Sequence, residues 1–173
     1  MSINYSIIKT KLGFFGLAFN DNGIIGTVLP KPEKMEVQME LAKMFKNSKE
    51  EYLVQKKPEP KMEKIFQNYF SGKKVDLTNL PVDVTGTDFE KNVWAACLAI
   101  PYGEVRSYGW IAEKINRKKA SRAVGNALGK NPVAPIVPCH RVIGNDNLGG
   151  YSSGLSLKRK MLELEHSSGF RLF

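Results

Sequence analysis

Soft metal ligands are scarce in this chain. Its 173 residues hold two cysteines, Cys97 and Cys139, and two histidines, His140 and His166. A zinc centre built from those four would need Cys-x-x-Cys or His-x3–5-His spacing, which the chain lacks, so no metal is expected. Two cysteines can form one disulfide at most, and a reducing compartment disfavours even that. Long apolar runs are missing too: none reaches the roughly 18 residues that a membrane span requires. The opening "MSINYSIIKTK" lacks the basic-then-apolar order of a secretory signal. These absences set the expectation of a cytoplasmic protein without a membrane partner.

Acidic residues are outnumbered. Seventeen Asp and Glu face 26 Lys and Arg, giving a net charge of +9. The excess is uneven: residues 1–86 carry 13 basic against 10 acidic side chains, and residues 87–173 carry 13 against 7. A basic half points toward a polyanion, and nucleic acid is the commonest one.

The first thirty residues read as strands. "NYSIIKT", "GFFGLAF" and "GIIGTVLP" are short, rich in β-branched and aromatic residues, and bounded by glycine. "NDNG" at 20–23 suits a hairpin turn, because Asn and Gly tolerate positive φ. Helical patterning follows in "EKMEVQMELAKMF" and again in "PKMEKIFQNYFSGK", with Gly72 as a stop. Between them "KNSKEEYLVQKKPEP" reads as an exposed connection. This half holds no repeat and no chemical motif, so a structural role is expected for residues 1–85.

A linker-like stretch, "LTNLPVDVTGTDFE", leads into residues 86–173. "FEKNVWAACLAI" has helical spacing up to Pro101, and Cys97 on it reads as a small buried hydrophobe. "PYGEVRSYG" reads as a turn. Two short helices, "YGWIAEKIN" and "KKASRAVGNALGK", are joined by a tight basic connector, the arrangement of a helix-turn-helix. On the second, Ala123, Val124, Ala127 and Leu128 share one face. Arg122, Gly125, Asn126 and Gly129 gather opposite, leaving one long cation on a smooth surface. That suits a minor-groove binder that inserts a side chain better than a major-groove reader; an ordinary solvent-facing helix is the plainer alternative.

"IVPCHRVIG" at 136–144 sets a thiol, an imidazole and a guanidinium inside an apolar, strand-like run. A free thiol titrates near about 8.5 and needs a cation or a base to become a nucleophile. Adjacent side chains on a strand point apart, so His140 would reach Cys139 through a water. The imidazole in turn wants a carboxylate. On the closing helix "LSLKRKMLELEH", with Leu157 set at 0°, Met161 falls at about 40°, Leu164 at about −20° and Glu165 at about 80°. Glu165 thus sits on the shoulder of the expected apolar face, and Glu163 in solvent. A cysteine hydrolase using Cys139 with His140 or His166, or an inert cysteine, are the competing readings.

"PCHRVIG", with "NP" upstream and "SRAVGNAL" and "PYGEVRSYG" further back, resembles the methylated-DNA–protein-cysteine methyltransferases, the O6-alkylguanine-DNA alkyltransferases, over about residues 86–169. The resemblance implies an α+β fold: an N-terminal α/β domain with a small antiparallel sheet, then a helical, winged-helix-like helix-turn-helix domain. It implies repair of double-stranded DNA by single-turnover transfer of an alkyl group from O6-alkylguanine, with O4-alkylthymine as a second substrate. No cofactor and no obligate protein partner are implied, and the chain would act as a monomer. By the same resemblance Cys139 accepts the alkyl group, His140 takes its proton, Glu165 orients His140, and Tyr108 protonates the leaving guanine. Arg122 enters the minor groove, with Tyr108, Gly109, Arg117, Ala120 and Ser121 also on the DNA. Asn131, Ala134, Val142, Tyr151, Ser152 and Ser153 line the pocket. Where many members have a proline shortly after "NP", this chain has Ala134, which implies a looser wall. The related alkyltransferase-like binders lack the cysteine, and a helix-turn-helix regulator would need a further reader domain.

Overall fold

The computed structural model describes residues 3–46 and 53–165. The chain divides into two compact units, Met1–Val84 and Thr85–Phe173, against an expected boundary after residue 85.

The first unit is built on strands β1 (Ile3–Thr10), β2 (Gly13–Phe19) and β3 (Ile24–Lys31). β1 pairs antiparallel with β2, and β2 with β3. The Asn20 side chain shapes the hairpin: its Oδ1 accepts from the backbone N–H of Asn22 at 2.9 Å and of Gly23 at 3.0 Å. The period-two alternation of β1 gives each sheet face its own apolar set. Ile3, Tyr5 and Ile7 join Val37 and Leu41 of helix α1 (Lys34–Met44). Ile8 lies opposite Phe15 in the register, and the Phe15 ring meets Phe66 at 4.5 Å and Phe70 at 5.1 Å on helix α2 (Pro60–Phe70). Gly16 is required for α1 to come this close, since a Cβ there would stand 2.5 Å from the Val37 side chain.

Two expectations in this unit are corrected. The connection after α1 is not wholly irregular: Leu53–Gln55 forms strand β4, which pairs parallel with β1 and makes the sheet mixed, in the order β3-β2-β1-β4. A charged surround hid three residues whose backbone finds the free edge of β1. The stretch read as a linker is partly tied down, because Pro81 accepts from the Ile24 N–H at 2.9 Å and the Asp83 N–H donates to Ile24 at 2.9 Å.

The second unit contains helices α3 (Asp88–Leu98), α4 (Tyr108–Lys114), α5 (Ser121–Gly129) and α6 (Leu155–Glu165). Thr87 and Glu90 form a capping box at the start of α3, which satisfies two otherwise orphaned N–H groups. Trp94 Nε1 donates to the Ala127 carbonyl at 2.9 Å, bolting α3 to α5. The α4–α5 connector turns at Asn116, the one non-glycine with positive φ among the described residues. The segment 101–109 is more than a turn: Arg106–Ser107 is a short strand, β5, parallel to β6 (Val142–Ile143). On α5, Ala123 is exposed and only Val124, Ala127 and Leu128 are buried, so the docked face is narrower than the wheel predicts. His166 lies outside the described residues. No described helix is long and apolar enough to cross a membrane.

Candidate active site and nucleic-acid interface

The Cys-His pair does not lie on a strand. Cys139–Arg141 is a single 3-10 turn that leads into β6, closed by the Arg141 N–H donating to Pro138 at 2.9 Å. Pro138 offers no N–H and breaks the pairing that a strand would need. Asn131 braces the approach from α5. Its Oδ1 accepts from the Val133 N–H at 3.0 Å, and its Nδ2 donates to the Val137 carbonyl at 2.8 Å and to Cys139 Sγ at 3.3 Å. The residue expected in the pocket lining therefore both braces this turn and touches the thiol.

Behind the thiol lies a buried ionic network. His140 Nε2 and Glu165 Oε1 are 2.8 Å apart. Arg141 binds the same carboxylate two-fold, Nε to Oε2 at 2.8 Å and Nη2 to Oε1 at 2.9 Å, and its Nη1 donates to the Ile100 carbonyl at 2.7 Å. Burial alone would raise the Glu165 carboxyl, but the hydrogen bond to His140, then the hydrogen bonds and charge of Arg141, hold it well below the usual carboxylate range. Burial lowers the His140 pKa against the pull of Glu165, which favours an uncharged ring at neutral pH, its Nε2–H donating to the carboxylate. Burial raises the Cys139 thiol, opposed by hydrogen bonding from Asn131 and by the charge of Lys158.

Sequence reasoning placed Glu165 on the shoulder of the α6 apolar face. The buried residues of α6 are Lys158, Met161, Leu162 and Glu165, a stripe that puts the carboxylate near its middle. Lys158 was missed altogether. It has no solvent exposure, and its Nζ donates to the carbonyls of Val142 at 2.6 Å, Leu148 at 2.5 Å and Gly150 at 3.1 Å. The ammonium also lies 5.9 Å from the centre of the Tyr108 ring and 5.8 Å from that of Tyr151. Burial lowers its pKa to about 8, and the neighbouring Cys139 limits the fall. The signal was present in the i, i+3, i+4, i+7 spacing of 158, 161, 162 and 165, but a lysine opening such a stripe reads as solvent. Arg141 is visible inside "PCHR" as a guanidinium beside the thiol, and the structure gives it Glu165 as partner.

The Tyr108 hydroxyl donates to the Gly150 carbonyl at 3.3 Å, and burial raises its pKa, so it keeps its proton at neutral pH. Gly149 makes room for it, since a Cβ there would stand 2.5 Å from the hydroxyl. Gly125 does not simply face outward: it is half-buried, and a Cβ on it would lie 3.6 Å from the Tyr108 ring. Burial raises Tyr151 well above the ordinary phenol range, and nearby Cys139 adds to this. Ala134 is buried, while Ser152 and Ser153 are exposed on the loop. The Val142 carbonyl already accepts from Lys158, and the Cys139 carbonyl from the Val142 N–H. Arg117 and Arg122 are exposed, and Gly109, Ala120 and Ser121 are half-buried. Among the described residues no three His, Cys, Asp or Glu side chains come together as a metal site.

These features define a class: a helix-turn-helix unit carrying a buried cysteine backed by a histidine, a carboxylate and an arginine. Residues 88–167 match the family model for the DNA-binding domain of 6-O-methylguanine DNA methyltransferase. A methylated-DNA–protein-cysteine methyltransferase of Methanosarcina barkeri is 39% identical over 169 residues, covering 95% of this chain and 98% of that one. The Mycobacterium tuberculosis protein of the same name is 54% identical over 100 residues, a match that spans 57% of this chain and 60% of the mycobacterial one. A crystal structure of Mycobacterium tuberculosis OGT in complex with DNA superposes with a TM-score of 0.74 at 36% identity, covering 95% of this chain and 93% of that one. The O6-methylguanine-DNA methyltransferase of Pyrococcus kodakaraensis gives 0.75 at 28% identity, over 94% and 99%. The chain belongs to the methylated-DNA–protein-cysteine methyltransferase family, and its α+β architecture is the one those structures share.

Proposed function

We propose that the chain repairs DNA by moving an alkyl group from O6 of guanine onto Cys139 Sγ, once per molecule. The observation that carries this reading is the buried thiol held by Asn131 beside the His140–Glu165–Arg141 network. With Nε2 engaged by Glu165, the other imidazole nitrogen would be the one to receive the thiol proton, through a water. His140 takes the thiol proton through that water, and the thiolate attacks the alkyl carbon. The carbon–O6 bond breaks with its electron pair passing to guanine, which Tyr108 protonates; the proton on His140 then restores Tyr108 through solvent. Net, the alkyl group ends on sulfur and the thiol hydrogen on guanine, so the balance needs no cofactor. The raised thiol supports a relay that forms the thiolate only when a base is in place.

Residues 86–173 would do both binding and chemistry, with residues 1–85 structural. Arg122 would occupy the gap left by a flipped nucleotide, with Tyr108, Gly109, Arg117, Ala120 and Ser121 along the backbone. Asn131, Ala134, Val142, Tyr151, Ser152 and Ser153 would form the pocket. The second lone pairs of the Cys139 and Val142 carbonyls suit the guanine amine, and Ala134 leaves space for larger alkyl groups and for O4-alkylthymine. The chain would work inside the cell, in the cytoplasm, as a monomer.

Reaction with an O6-methylguanine duplex, followed by peptide mass spectrometry, should place one methyl on Cys139. A methyl on Cys97, or repeated turnover, would overturn the proposal. Arg122→Ala should impair reaction with the duplex far more than with the free alkylated base, which needs no flipping. Equal loss on both would assign Arg122 to the fold.

A further inference from the structure

The first unit carries a feature that neither the transfer reaction nor the helix-turn-helix explains. At one end of its sheet, on the face that α1 covers, the helix begins too late to close over Ile7 and Phe14, which stay half-buried. A depression of about 440 Å³ opens there, with Pro58 and Pro60, the latter at the start of α2, completing its apolar wall. Three lysines stand at its rim: Lys9 from the end of β1, Lys34 from the first turn of α1, and Lys57 from the segment beyond β4. All three are exposed, and none makes an ion pair among the described residues. One carboxylate, Glu63, shares the depression, and it already accepts from Gln67 Nε2 at 3.3 Å. Three elements far apart in sequence thus converge like charges that repel one another, a local penalty that an anionic ligand removes.

The geometry points to a second nucleic-acid site in this unit, one for an unpaired strand: phosphates on Lys9, Lys34 and Lys57, and a base or sugar on the Ile7–Phe14 floor. The pairing of a cationic rim with an apolar, partly aromatic floor selects the ligand. A duplex hides its bases and would use the rim alone; an acidic peptide matches the charge and leaves the floor dry. An unpaired nucleotide supplies both surfaces, and stacking or apolar contact with a base is sequence-tolerant. Such a site would hold single-stranded DNA without reference to any lesion.

The test uses the full chain and the triple variant Lys9→Gln/Lys34→Gln/Lys57→Gln, with Lys57→Gln alone as the milder form. Binding of a fluorescent oligo(dT) is followed by anisotropy across salt concentrations. The triple variant should flatten the slope of log affinity against log salt by about 2, and the single by about 0.7, from the single-strand value of roughly 0.7 per contact. Reaction with the free alkylated base should stay at the wild-type rate in both, which separates this site from the failure of the transfer reading. An oligomer of abasic residues with the same phosphate number should bind the wild type more weakly than oligo(dT), and the triple variant should narrow that gap. Unchanged slopes in both variants would overturn the site. Equal affinity for the abasic strand, or equal competition by a polyglutamate of matched charge, would overturn the assignment to an unpaired nucleotide.

Discussion

In the first unit the side chains with no solvent exposure include Ile8, Phe15, Phe66, Tyr69 and Phe70; in the second that group includes His140 and Lys158. Every buried Glu, His, Lys or Arg among the described residues, Glu90, His140, Arg141, Lys158 and Glu165, belongs to the second unit, while the first buries only Asn4, Ser6 and Thr27 as polar groups. Desolvating an ion costs several kcal/mol, and a buried pair is rarely better than an apolar replacement of the same shape. Stability alone would favour the first unit's solution everywhere. The proposed transfer accounts for the ions kept around the Cys139–Arg141 turn, which would present a thiol beside an oriented imidazole.

Breaking the network should have the largest effect. Glu165→Gln leaves Arg141 without its buried counter-charge, a change that costs about 3–5 kcal/mol, and removes the group that orients His140. Urea unfolding followed by Trp94 and Trp110, both in the second unit, should show that loss, and single-turnover transfer should slow at least tenfold. A variant as fast as wild type would make the network a mere structural pair.

Lys158→Met should rank next. It fills the same space but takes a donor from the carbonyls of Val142, Leu148 and Gly150, of which Gly150 keeps Tyr108, at about 2 kcal/mol in sum. Transfer should slow about tenfold while affinity for undamaged duplex is kept, as quench-flow and anisotropy would read. Loss of DNA affinity in step with rate would mean that Lys158 supports the whole unit and not the pocket.

Acidification should separate the two units more gently. The unfolded chain protonates His140 near about 6.5, whereas burial holds the folded ring below that value. Stability therefore falls as pH drops below about 6.5. Glu165 is held low in the fold, so its contribution is present above about 4.3 and is lost as pH falls further. Hydrogen exchange at pH 7 and pH 5 should show α6 and the Cys139 turn opening first, with the β1–β3 sheet protected. Parallel loss in both units would remove the distinction. The smallest effect should come from Ile8→Val, which trims one methylene from the first unit's core for about 0.5–1.5 kcal/mol and leaves the transfer rate unchanged.

Local pattern carried much of this architecture. The alternation in β1–β3, the Asn20–Gly23 turn and the two short helices follow from periodicity and turn chemistry over spans of four to ten residues. The thiol, the imidazole and the carboxylate were legible because "PCHRV" and the α6 wheel need only nearest neighbours and one helical repeat. The three-residue strand β4 was not, since its pairing depends on an edge some fifty positions away in sequence.

What the chain order determined by itself, then, is which elements form and which reactive groups are present. Which face of α6 turns inward, and hence that Lys158 is a buried donor and Arg141 a partner of Glu165, was decided by the tertiary structure. The Lys158 ammonium is tolerated inside because the carbonyl of Val142 on β6 and those of Leu148 and Gly150 on the following loop meet it at 2.5–3.1 Å, and the Arg141 guanidinium because a carboxylate and the Ile100 carbonyl meet its fork. Those partners come from positions 8 to 41 residues away, and no local pattern reaches across that distance.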